Sequence, residues 1–128
     1  MRTTALIGAL ALGAATLVAA AAAPAETLSV VCRVMESKGA AHRQLARRID
    51  IDLQTKTAHF ADNAGHGWQS KGEHPIVSAG RDRVVLDAGG GKDSYLDRVS
   101  GQYFLHNQND GVVMRGSCHK APPERPRF

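Results

Sequence analysis

The chain has 128 residues with a formal net charge of +4, and 5% of its residues are aromatic. That length suits one domain with a modest core. A mildly basic balance does not by itself indicate a nucleic-acid partner, and aromatics are not interleaved with the basic residues as single-stranded nucleic acid requires.

Residues 1–25 read as a secretory signal peptide. One cation, Arg2, precedes an uncharged Ala/Leu-rich run that ends at Ala23-Pro24-Ala25, a small-residue cleavage site. The competing reading is a transmembrane anchor, but the run is rich in Ala rather than Leu and ends in that site. No later stretch approaches the ~20 apolar residues that cross a bilayer. Cleavage after Ala25 leaves 103 residues, and the loss of Arg2 makes their net charge +3. The expected organisation is a leader over 1–25, a β domain over 26–120 and a Pro-rich tail over 121–128. Pro122, Pro123 and Pro126 prevent that tail from continuing a strand ladder.

In "LSVVCRV", Leu28, Val30, Cys32 and Val34 alternate onto one face of a first strand. Residues 39–48, "GAAHRQLARR", fit either a short helix or the basic beginning of the next strand. Ile49, Ile51 and Leu53 alternate with Asp50 and Asp52, the clearest half-buried strand in the chain. Gln54-Thr55-Lys56 reads as a turn and 57–61 as a returning strand. The segment "HFADNAGHGWQSKGEH" that follows reads as surface histidines around a Gly-rich loop. A short strand, a turn at Gly80 and a strand over Arg83–Asp87 come next, then a Gly89-Gly90-Gly91 loop. "SYLDRVSGQYFLH" is a strand, a Ser100-Gly101 turn and a strand. The Asn109-Asp110-Gly111 turn leads to a last strand with Val112, Met114, Gly116 and Cys118 on one face, because Asp-Gly supplies the positive φ of a tight hairpin. Seven to eight short strands predict an all-β antiparallel barrel or compact sandwich.

Two cysteines, Cys32 and Cys118, lie in the first and last strands, both on inward faces. An exported chain meets an oxidising compartment, so a structural disulfide between them is expected. There is no C-x-x-C to suggest a redox or metal pair. The layout resembles small exported proteobacterial β proteins with a first-strand cysteine, an Asp-Arg-x-Ser/Thr-Gly hairpin and a final Gly-x-Cys, here Cys32, "DRVSG" at 97–101 and "GSC" at 116–118. There is a looser architectural likeness to the periplasmic inhibitors of C-type lysozyme, small disulfide-closed barrels. These resemblances imply a β fold and an envelope or secreted location.

Chemistry-bearing patterns are sparse. His59, His66 and His74 share a region with Asp62 and Asn63, but spacings of seven and eight residues match no compact ligand motif, and no metal site is expected. "GGGKD" at 89–93 lacks the Ser or Thr of a phosphate-binding loop. No G-x-S-x-G or H-E-x-x-H occurs, and paired cysteines leave no thiolate, so no catalytic residue or cofactor is expected. Asp50 and Asp52 share a face, read as the solvated one. In "DRVSG", Asp97 and Arg98 point to opposite sides, and an inward arginine would need a carboxylate partner. Lys38, Arg43, Arg47, Arg48 and Lys120, with His42, Arg125 and Arg127, are read as one basic zone, either a solvated surface or a candidate face for an anionic envelope component or a protein. The leading expectation is a non-enzymatic binding or interaction module, periplasmic or secreted. The alternatives are a small-ligand or metal carrier and an enzyme of unrecognised type.

Overall fold

A computed structural model describes residues 26–121; the leader over 1–25 and the tail over 122–128 lie outside the described residues. The protein is all-β. Among the described residues nine strands form one antiparallel sheet: β1 (Thr27–Lys38), β2 (Ala41–Asp52), β3 (Thr57–Asn63), β4 (Gln69–Pro75), β5 (Ser78–Ala79), β6 (Arg83–Asp87), β7 (Lys92–Asp97), β8 (Gln102–Asn107) and β9 (Val112–Lys120). Their spatial order is β4-β3-β2-β1-β9-β8-β7-β6-β5. Consecutive strands pair as hairpins, and the last strand returns beside the first.

The sheet curls into a half-barrel. The expected all-β antiparallel fold thus takes the barrel-like form, with β4 and β5 as the two ends of the strand order. Residues between them bridge part of the gap. The Ile76 N–H donates to the Lys56 carbonyl beside β3, and the Val77 N–H donates to Val85 of β6. Ile76 is buried there and closes one end of the curl.

Segment 41–52 is strand throughout, which settles the ambiguity over 39–48. Its residues pair with β1 in unbroken register from Lys38↔Ala41 to Thr27↔Asp52. A helix there would have forfeited this ladder. The strand that alternation does not predict is β4, which replaces part of the expected loop. All its residues are exposed, so it has no apolar face to read, and it is held by pairing to β3 across a bulge at Phe60/Ala61.

Inward side chains pack into one core cluster, in which Val30, Cys32, Val34, Ile49, Ile51, Ala58, Ile76, Val84 and Leu96 are all buried. Cys32 and Cys118 are direct cross-strand partners on β1 and β9 and form a disulfide, 86 residues apart in sequence. Gly116 sits two residues before Cys118. A side chain on it would strike the Arg33 carbonyl of β1, so only glycine lets the two strands approach this closely.

Candidate functional site

Part of the concave face carries ionic side chains. A cleft of about 350 Å³ opens there, within the size range of small-molecule sites. Arg47 and Asp62 of its floor belong to one transverse row of inward residues, Cys118↔Cys32↔Arg47↔Asp62, running across β9, β1, β2 and β3. The row changes character half-way, from a disulfide to an ion pair.

Arg47 has the inward phase of Ile49 and Ile51, so the strand that makes the core also carries it inside. Its side chain is 10% exposed, as is that of Asp62. Nε donates to Asp62 Oδ1 at 2.7 Å and Nη2 to Oδ2 at 2.8 Å, a bidentate pair. Nη1 donates to the Tyr103 hydroxyl at 2.8 Å. The guanidinium also lies against the Phe60 and Tyr103 rings, with centroids 5.5 and 5.7 Å away. Burial disfavours the charged guanidinium, but the hydrogen bond from Arg47 to Asp62, the charges of Tyr103 and Asp62 and the Tyr103 hydrogen bond outweigh it. Its pKa is raised above the ordinary arginine value. Burial likewise pushes the Tyr103 phenol up, against the opposing influence of Arg47.

The walls combine ionic and apolar groups. Glu36 of β1 accepts from Arg43 of β2 at 2.9 Å. Asp87 of β6 accepts from Ser94 Oγ at 2.7 Å and lies 3.8 Å from Lys92 Nζ. Asp110 accepts from the Val112 N–H at 2.9 Å and holds the β8–β9 turn. Leu105, Val112 and Met114 supply apolar wall. From β4, Lys71 and His74 reach the opposite rim, with the His74 ring 5.6 Å from Phe60.

The five cations expected to form one basic zone are not brought together. Arg47 is buried in its ion pair, and Arg43 lies on the cleft wall bonded to Glu36. Arg48 is on the outer face and bonds Asp50 at 3.1 Å. Lys38 is at the β1–β2 hairpin, while Lys120 pairs with Val30 at the far end of β1. Eight residues of strand separate Val30 from Lys38, roughly 26 Å. His42 meets Ser37 at the hairpin, and Arg125 and Arg127 lie outside the described residues.

Other singled-out groups have local roles. Asp50 also accepts from Ser29 Oγ at 2.6 Å. Asp52 accepts from the N–H groups of Gln54 and Thr55, and Asp97 from those of Val99 and Ser100. These turn bonds lower both carboxyl pKa values: chiefly the Thr55 N–H for Asp52, and the Ser100 and Val99 N–H groups for Asp97. Arg98 is exposed and donates to the Gly80 carbonyl, so the buried arginine of this fold is Arg47 and not Arg98. His59 bonds Ser70 on the outer side, whereas His74 lines the cleft. Gly89, Gly90 and Gly91 all have positive φ in the β6–β7 turn. Among the described residues no three His, Cys, Asp or Glu side chains are grouped to hold a metal ion.

Comparison with known proteins gives no match: no family model fits the chain, and no curated protein or solved structure is significantly similar to it. The site therefore rests on its own geometry.

Proposed function

We propose that this protein is an exported, non-enzymatic binding module of the bacterial envelope and that the concave cleft holds its ligand. The observation that carries this reading is the buried Arg47–Asp62–Tyr103 cluster at the cleft floor. Burying an ion pair costs desolvation that apolar residues of equal volume avoid, so such a pair is weak evidence for stability. Here it gives the cleft a fixed, polar floor, and rigid walls reduce the ordering cost of binding. Export is supported by the leader-like composition of residues 1–25 and by the disulfide, which persists in oxidising compartments. Among the described residues no helix is long and apolar enough to cross a membrane.

A small-ligand carrier is the nearer of the two earlier alternatives, because the cleft has the volume for a ligand of that class. The test is a titration of isotopically labelled protein with amines, sugars, amino acids and carboxylates, followed by amide chemical shifts. Shifts should saturate and cluster at Arg43, Lys71, His74 and Asn107. Saturable shifts confined to the outer face would move the site elsewhere.

A further inference from the structure

We infer that the cleft is a receptor for a small monocarboxylate carrying an apolar portion; this rests on the cleft being the binding site. A guanidinium has five N–H donors. Three of Arg47's are spent, two on Asp62 and one on Tyr103. Two remain, on a side chain that is 10% exposed and lines the cleft, and they have no acceptor among the described residues. Buried donors left unmade are costly, and a ligand oxygen would satisfy them.

Around the floor, the carboxylates each have a partner: Asp62 is bonded through both oxygens to Arg47, while Glu36 (to Arg43), Asp87 (to Ser94) and Asp110 (to the Val112 N–H) keep further lone pairs. Lys71 and His74, by contrast, have no ion-pair or hydrogen-bond partner among the described residues. The unspent capacity at the buried floor is therefore donor capacity, which an oxyanion matches; an amine would have to be held by the more exposed wall carboxylates instead.

Two features select the anion. Four cations, Arg43, Arg47, Lys71 and Lys92, are balanced by the four carboxylates, so the lining is formally neutral. A single negative charge can use the free Lys71, whereas a phosphate dianion would face Glu36, Asp87 and Asp110 without enough compensation. Phe60, Leu105, Val112 and Met114 provide an apolar wall for hydrocarbon beside the charged head. The same chemistry is offered by a free organic acid and by the C-terminus of a peptide.

Calorimetric and chemical-shift titration with benzoate, butyrate, inorganic phosphate and butylamine tests this, together with an apolar tetrapeptide as its C-terminal acid and as its amide. Benzoate and butyrate should saturate the cleft and move the Arg47 side-chain N–H signals. Lys71→Gln should weaken them at least about tenfold, the loss expected when a hydrogen bond to a charged group is removed, and His74→Gln should weaken them as well. Both positions are exposed, so these variants report binding without unfolding the protein. Tighter binding of the peptide acid than of its amide and of benzoate would identify a chain terminus as the source; equal peptides and tighter benzoate would identify a free acid. Phosphate binding tighter than the monocarboxylates, or carboxylate binding indifferent to Lys71→Gln, overturns the inference. Butylamine binding in the cleft with silent carboxylates overturns it while leaving the cleft a binding site. Silence of every probe overturns both.

Discussion

Arg47 and Asp62 face each other across β2 and β3 with both carboxylate oxygens bonded, at 2.7 and 2.8 Å, and both side chains almost wholly enclosed. Neither charge can be removed alone without stranding the other. Asp62→Leu should therefore cost about 3–5 kcal/mol, whereas the double replacement Arg47→Met/Asp62→Leu should stay near the parent or exceed it. Urea denaturation of the parent, both singles and the double gives the coupling directly. A double variant as unstable as the sum of the singles would show that the two side chains are not coupled and that each single loses packing rather than stranding a charge.

The disulfide links the same row at its other end. It joins strands adjacent in the sheet but 86 residues apart in the chain, so it closes nearly the whole domain. A loop of that length corresponds to about 4–5 kcal/mol of chain entropy in the unfolded state. Reduction, or Cys32→Ala/Cys118→Ala, should lower stability by up to that amount while leaving the β-sheet circular dichroism spectrum intact at low denaturant. A loss below about 1 kcal/mol would mean that the β1–β9 ladder alone determines closure.

Most of the sheet is legible in the sequence because its strands alternate. The pattern that gives Ile49 and Ile51 as inward also gives Arg47, two residues earlier, as inward. Read as composition, "LARRID" is a basic cluster; read in phase, it separates a buried Arg47 from an outward Arg48 bonded to Asp50. Asp62 is likewise in phase with Ala58 and Phe60. What no single strand contains is the register that brings Arg47 to Asp62 and Tyr103, 15 and 56 residues away. The incomplete barrel is hidden for the same reason, since it depends on whether β4 and β5 pair. β4 itself carries no apolar alternation, being exposed along its length. Its Lys71 and His74 enter the cleft only through its pairing with β3.

Gly116 tests the close approach of β1 and β9. Its missing side chain would point at the Arg33 carbonyl and the Val34 Cα, both backbone, which cannot rotate away. Gly111 has positive φ but open space around a Cβ. Gly111→Ala should thus cost about 1–2 kcal/mol from its left-handed backbone alone. Gly116→Ala should cost more, because it must separate the strands that carry the disulfide. Thermal unfolding of the two variants compares them. A Gly116→Ala protein as stable as the parent would mean that β9 shifts along or away from β1 without loss.

Tyr103 makes the floor of the cleft sensitive to alkali. Burial raises its pKa above the ordinary 10.0, and Arg47 only partly offsets this. The folded protein therefore keeps a phenolic proton that the unfolded chain releases. Wherever the folded state binds more protons than the unfolded one, stability falls as pH rises. The contribution of Tyr103 is fully present below pH ~10 and is lost as pH climbs through the raised value, with a slope of at most about 1.4 kcal/mol per pH unit for one proton. Tyr103→Phe removes that proton and also leaves an Arg47 N–H without its acceptor, a cost of about 1–3 kcal/mol at neutral pH. All other ionisable groups are common to both proteins, so the informative quantity is the difference between them. Denaturation in urea from pH 8 to 11 should show the parent's advantage over Tyr103→Phe constant up to pH ~10 and shrinking above it. Parallel curves throughout would show that the Tyr103 hydroxyl is in contact with solvent in the folded protein.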